Sequence, residues 1–319
     1  MKKLVIFLLI AILLPLCASK TAEEEVSFNM TEIFNATPID DTGYNISEGN
    51  PQRIVSLAPS NTEILFAIGV GDRVVGVTDY CNYPPEVVEK RERGELVSIG
   101  GYTTINIEKI VSLNPDLVVA SYGNGIENIE TLRRMGLNVI AFDPKTVEEV
   151  MRDIVLIGIA TGEKENATKL VNWMVEKIEG VREKVRDKAR VSVAHILWYD
   201  PIWVSGKNTF IDEVIRLAGG ENVFKFEGWR TVSVEDLIAA NPDVILVSSG
   251  SGMGGGRDVV YEWIMSDERL SGIKAVKGGR VYVVDADIIS RPSYRLAEAV
   301  EIVAEYLHPE VGSKSKIGE

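Results

Sequence analysis

From residue 53 to residue 307, short unbroken apolar runs alternate with longer stretches whose apolar positions recur at helical spacing. The run Arg53-Ile54-Val55-Ser56-Leu57 predicts a strand closed by Pro59, and Ser60-Asn61-Thr62-Glu63 reads as a capping box opening a helix over Ile64 to Ile68. Val74 to Val77 predicts the next strand, and Val139 to Phe142 a strand that ends a first lobe. A long helical stretch follows from Val147 to Lys188, dented at Thr161-Gly162. Within it Leu170, Trp173, Met174, Ile178, Val181 and Val185 mark one apolar face. Val191 to Trp198 starts a second lobe, which continues through a helix over Phe210 to Ala218, a turn at Gly219-Gly220, a strand over Val281 to Val284 and a helix over Leu296 to Leu307. Strand-helix-strand alternation predicts parallel sheet covered by helices on both faces.

One phrase occurs twice. Asn106-Ile107-Glu108-Lys109-Ile110 leads to Asn114-Pro115-Asp116-Leu117-Val118-Val119, and 127 positions later Ser233-Val234-Glu235-Asp236-Leu237 leads to Asn241-Pro242-Asp243-Val244-Ile245-Leu246. Each copy reads as a short helix stopped by Asn-Pro, a turn, and a buried parallel strand. The separation is too wide for a solenoid and suits two similar lobes with a cleft between them. Matched glutamates on both lobes invite a partner that touches both.

The N-terminal residues carry a different pattern. Lys2 and Lys3 precede a 13-residue apolar run, Leu4 to Leu16, and small residues at Cys17-Ala18-Ser19. Residues 1–19 therefore read as an export signal, and the mature protein is expected outside the cytoplasm. Cys17 is either removed or kept as a lipidated N-terminus, although Leu16 is bulky where a lipoprotein signal has a small residue. Residues 20–50 are acidic and aperiodic and read as a flexible tether. Sequons at Asn29, Asn35 and Asn45, with a fourth at Asn166, are either chance triplets or sites for glycans. The remaining division is a first lobe over 51–145, a connecting helix over 146–189, a second lobe over 190–309 and a loose tail over 310–319.

Composition narrows the function. The chain has 319 residues, enough for two cores, and its 45% apolar and 25% charged content is that of a globular protein. A net charge of −13 argues against nucleic acid as a partner. His195 and His308 lie far apart with no cysteine partner, so no metal site and no bound cofactor are expected. His195, in an apolar run, reads as a core residue, and Cys81 as a packed small residue. Gly250-Ser251-Gly252-Met253-Gly254-Gly255 nominally fits a dinucleotide fingerprint but reads better as a rim loop. Ser271-Gly272-Ile273-Lys274 lacks the companion motifs of the β-lactam enzymes. No catalytic residue is assigned.

With these features together, the sequence resembles the helical-hinge substrate-binding proteins of ABC importers, which capture vitamin B12, iron–siderophores and haem. The resemblance covers about Pro51 to Pro309. It rests on Arg53 to Val77 with Tyr80 and Asn82-Tyr83-Pro84-Pro85, the two Asn-Pro-Asp phrases, Ser205-Gly206-Lys207, Phe210 to Phe224 and Arg291-Pro292-Ser293. Tyr80 to Pro85 and Gly228-Trp229-Arg230-Thr231-Val232-Ser233 are most similar to the vitamin B12 binders. The resemblance implies an α/β fold of two Rossmann-like lobes, with parallel-type sheets joined by a long rigid helix. It implies a monomer that hands a corrinoid, or alternatively an iron–siderophore or haem, to an ABC permease driven by a cytoplasmic ATPase, held at the membrane by tether or lipid. Glu108 and Glu235 match the glutamates that dock on permease arginines, though both also suit helix N-termini. Tyr80, Trp198, Trp229 and Arg291 are placed at the cleft, with Tyr102 and Tyr122 from adjoining loops. Trp198 could equally be core, and Arg291 could pair with Asp285 or Asp287. Where the B12 binders have two further tryptophans, this chain has the Gly100-Gly101-Tyr102 region and Ser121. Hypotheses of another class are a cell-surface enzyme using the Gly-rich loop with Asp285 or Asp287, and a structural surface module.

Overall fold

A computed structural model describes residues 28–249 and 258–311. The export signal, Cys17, the Gly-rich run 250–255 and the last eight residues lie outside the described residues. The first lobe comprises α1 (Met30–Phe34), β1 (Ile54–Ser56), α2 (Pro59–Ala67), β2 (Val74–Val77), α3 (Pro85–Glu92), β3 (Val97–Ser98), α4 (Ile107–Ser112), β4 (Leu117–Ser121), α5 (Ile126–Arg134) and β5 (Val139–Phe142). Then come α6 (Val147–Thr161) and α7 (Lys164–Val185). The second lobe holds β6 (Val191–Tyr199), β7 (Ile202–Ser205), α8 (Phe210–Leu217), β8 (Gly220–Asn222), β9 (Trp229–Val232), α9 (Val234–Ala240) and β10 (Val244–Ser249). It closes with α10 (Val259–Ser266), α11 (Lys274–Lys277), β11 (Val281–Asp285), α12 (Ala286–Ile289) and α13 (Leu296–Leu307).

The first sheet is wholly parallel in the order β3-β2-β1-β4-β5. The second runs β11-β10-β6-β7-β9 with β8 beside β6, and it is mixed: β7 is antiparallel to both β6 and β9. The all-parallel expectation therefore holds for one lobe only. The turn between β6 and β7 is too short for a crossover helix, so the chain must double back. In each sheet alternate residues serve two cores. Val55, Val118 and Ala141 face one apolar layer, while Ile54, Val119 and Ile140 face another. That second layer continues through α6, α7 and α13 to Val193 and Leu246 of the second lobe. Moving the lobes apart would open this shared core to water, so burial holds the lobes together.

The repeated phrase folds the same way twice. Asn114, two residues past α4, and Asn241, directly after α9, take φ 46° and 43°, the left-handed conformation that asparagine tolerates best among residues with a Cβ. In both copies the aspartate N–H then donates 3.0 Å to the carbonyl of the residue leading into or within the central strand, Asp116 to Arg53 and Asp243 to Ser192. The aspartate carboxylates close the same junction, accepting from the Gln52 and Arg53 amides at 2.8 Å and from the Ser192 hydroxyl at 2.6 Å.

Three expectations need correction. The connecting segment is two helices packed on each other, not one dented rod. Gly162 ends α6 in the left-handed conformation (φ 77°), and a Cβ on Gly158 would sit 2.4 Å from that of Ala167, so the close crossing requires glycine there. α7 alone, at 22 residues, is about 33 Å long. The supposed capping box lies inside α2, which begins at Pro59 with no side-chain cap, and Glu63 turns to the other lobe. Third, residues 28–50 are folded. Ile33 and Ile46 are buried, α1 packs on α6, and Asp40 fixes the segment along the edge strand β5. An unpaired sheet edge is thereby covered. Of the tail, Glu310 pairs with Lys188 at 3.1 Å and Val311 packs on the core.

One junction between α6 and the second lobe carries a pH signature. Glu213 of α8 accepts from the Val147 amide at 2.7 Å, and burial pushes its carboxyl up to about 6. The protonated form is favoured by folding, so its contribution is complete below about pH 4.5 and is lost as pH rises through about 6, a change of about 2 kcal/mol. Glu213→Gln should remove that part of the stability slope in urea titrations at pH 4.5 to 7.5. An unchanged slope would show that Glu213 does not titrate in this window.

Candidate functional site

The carboxyl ends of both sheets face a cavity of about 370 Å³. Ala58, Pro59 and Ser60 follow β1, Tyr80 follows β2, Tyr102 follows β3, Leu197 lies near the end of β6, and Ala286 and Asp287 follow β11. Trp229, Ser290, Arg291 and Pro292 complete the lining. This is where an α/β sheet offers a crevice, because the strand termini and their loops diverge there. The wall is largely apolar and aromatic, with Asp287 and Arg291 its charged members. Such a surface suits a broad, flat ligand with a few polar groups at its edge.

Of the six residues expected at the cleft, Tyr80, Tyr102, Trp229 and Arg291 line this cavity, and Tyr122 and Trp198 do not. Tyr80 is 54% exposed and projects freely. Tyr102 is held: its hydroxyl is 2.8 Å from the Ser121 hydroxyl, its carbonyl accepts from Asn124 at 2.8 Å, and its ring presses on Gly123. Trp229 packs edge-on against His195, ring centroids 5.8 Å apart. Trp198 leans instead on Tyr199 at 5.1 Å and donates its indole N–H to the Asp200 carbonyl. Its neighbour Leu197 takes the cleft position, since successive strand side chains point to opposite faces. Tyr122 stands exposed in the turn after β4, beside the cavity's residues but not among them.

His195 is buried, as expected for core, with Nε2 2.7 Å from the Ser248 hydroxyl. Burial pushes its pKa down to about 3, so the ring under Trp229 is neutral. Cys81 is buried between the Thr62 and Thr78 hydroxyls, and burial pushes its thiol up, away from nucleophilic character. Asp285 caps α12 and Asp287 pairs with Arg291 at 2.7 Å, so both acids have structural partners. Among the described residues no group of three or more His, Cys, Asp or Glu could hold a metal ion.

Arg291 does more than line the wall. Its guanidinium donates to Glu63 at 2.9 Å, to Asn82 at 2.8 Å and to the Tyr80 carbonyl at 3.3 Å, all in the first lobe. Glu63 is buried, and desolvation pushes its carboxyl up against the opposing hydrogen bonds from Ser293 and Arg291. Sequence reasoning assigned Glu63 to local capping because its partners lie 228 to 232 positions away.

Glu108 and Glu235 are exposed in the first turns of α4 and α9. Each helix reverses through a tight Asn-Pro turn into its strand. The helix N-terminus therefore lies toward the carboxyl end of the sheet, on the side of the cavity in both lobes.

A family model described as periplasmic binding protein matches residues 54–288. An uncharacterised ABC transporter substrate-binding lipoprotein of Bacillus subtilis (strain 168) is 33% identical over 314 residues, 95% of each chain. A vitamin B12-binding protein of Vibrio cholerae serotype O1 is 31% identical over 259 residues, 80% of this chain and 89% of its own. The periplasmic heme-binding protein RhuT of Roseiflexus sp. RS-1, in apo form, superposes with a TM-score of 0.72 at 28% identity, covering 83% of this chain and 100% of that one. The chain belongs to the periplasmic binding protein family. Within it, this is a substrate-binding protein of the ABC-transporter type, and its relatives are binding proteins.

Proposed function

We propose that the protein works outside the cytoplasm as the capture subunit of an ABC importer, taking a corrinoid into the interlobe cavity and delivering it to the permease. The observation that carries this reading is the cavity wall, where Tyr80, Tyr102 and Trp229 surround an apolar space opened by two lobes. A corrinoid brings its own axial ligands, and so needs planar packing and edge polarity from the protein more than a metal ligand. The 31% identical vitamin B12-binding relative supports the same choice. Glu108 and Glu235 act as the permease contacts, one from each lobe. The chain stays at the membrane through its N-terminal segment, and among the described residues no helix is long and apolar enough to cross a bilayer.

Haem is the second reading, favoured by the exposed Tyr80 phenol, since tyrosinate is an axial ligand for haem iron. Mass spectrometry of the small molecule that copurifies from the native host separates the two. A cobalt corrinoid supports the first reading, and an iron porphyrin or siderophore replaces it with the alternative. In either case Trp229→Ala should weaken binding by about 1–3 kcal/mol, measured by calorimetry, because a ring packed on the ligand is lost. Unchanged affinity would remove Trp229 from the site.

A further inference from the structure

Glu63 belongs to the first lobe, yet each partner the structure gives its carboxylate belongs to the second. Oε1 accepts from Arg291 at 2.9 Å and from Arg295 at 3.5 Å, and Oε2 from the Ser293 hydroxyl. The crossing is reinforced on both sides. Asn82 donates to Asp287 at 2.8 Å, and the Arg295 guanidinium lies 4.0 Å above the Tyr83 ring. Glu63 is fully buried and is not among the cavity's lining residues, whereas Arg291 and Asp287 are. The network thus runs beneath the cavity and holds part of its wall.

A buried ion pair adds little net stability over apolar packing of the same volume, because desolvation cancels most of the attraction. Its best attested use is to fix one arrangement among several that bury the same area. Here the arrangement at stake is how the two lobes sit. Apolar contacts of the shared core are non-directional, while a guanidinium that must meet Glu63, Asn82, Asp287 and the Tyr80 carbonyl together tolerates one register.

We propose that Glu63 is a positioning residue for ligand capture: it acts through Arg291, with Ser293 and Arg295, to fix the lobe setting and hold the cationic part of the cavity wall in place. Ligand affinity then depends on a side chain that never touches the ligand. The inference rests on the cavity being the capture site, but its structural half does not depend on which ligand binds.

The test is a double labelling of the lobes at two exposed positions, Arg134→Cys and Glu227→Cys, in a Cys17→Ser background with the buried Cys81 left in place. Interlobe distances by electron–electron double resonance are compared with and without Glu63→Gln, alongside cyanocobalamin titration. The expected result is a broadened distance distribution and binding weakened by about tenfold or more, with little further loss when Arg291→Gln is added. A lower melting temperature with an unchanged distribution would overturn the proposal, as would binding that stays within about twofold in a wild type that takes the probe. If the wild type does not bind cyanocobalamin, the corrinoid reading fails, and the distance distribution alone decides this one. Should Glu63→Gln not fold, Arg291→Lys takes its place, since it keeps the charge and loses the planar set of donors that reaches several partners at once.

Discussion

Replacing both Glu108 and Glu235 with alanine should drop uptake to background, while the purified double variant should bind its ligand as the wild type does. Each carboxylate sits in an exposed first turn, on the side of its sheet where the cavity opens, and neither lines that cavity. A permease facing both lobes would meet one anion from each, an arrangement that sets orientation by charge-assisted hydrogen bonds. Exposed pairs steer and register more than they bind, so single variants should retain partial transport and show a steeper loss at high salt. Transport in vesicles carrying the permease and ATPase reads the effect. Transport preserved in the double variant would reduce both residues to helix N-terminal acids.

A second large effect is expected far from the cavity. Asp40→Ala should lower folding stability by about 2–4 kcal/mol, because the Thr42, Tyr44 and Ala141 amides lose their acceptor and Arg133 keeps only Glu130 as its carboxylate partner. One oxygen of Asp40 accepts from the Thr42 amide at 2.9 Å, the Thr42 hydroxyl at 2.6 Å and the Tyr44 amide at 2.8 Å. The other accepts from Arg133 and from the Ala141 amide, both at 2.8 Å. Arg133 in turn covers the Tyr44 ring at 4.3 Å and binds the Val139 carbonyl. The loss should therefore appear as a lower urea midpoint together with protease cleavage within residues 28–50. Asp40→Asn keeps the acceptor toward Thr42 and Tyr44 and should cost less. Equal midpoints for Asp40→Ala and wild type would mean that the segment is only loosely attached.

What the sequence disclosed and what it hid divide along the range of the interactions involved. Asn114 and Asn241 were readable because an asparagine that ends a helix and a proline that follows it act locally, and the same local chemistry written twice marks two lobes. The helix over Leu296–Leu307 and the strand starting at Val281 were readable from periodicity for the same reason. Glu63 was not, since nothing near it in the chain signals a partner more than two hundred positions on. Trp198 illustrates a subtler limit: it shares a strand face with Ala194 and Ile196 and packs on their core, and alternation leaves the cleft to Leu197. Residues 28–50 hid their fold because Ile33 and Ile46 are single apolar anchors without a period, and Asp40 reads as just another acid in an acidic stretch. At the cavity, the aromatic residues were accessible from resemblance, whereas the bridging role of Arg291 required the second lobe to be in place.

Calorimetric titration of the wild-type protein with cyanocobalamin, cobinamide, haem and a ferric siderophore tests the central claim most directly. The account predicts one tight, single-site binder, a corrinoid, whose affinity drops in Trp229→Ala. Four flat titrations at micromolar protein would contradict capture of a metal chelate between the lobes.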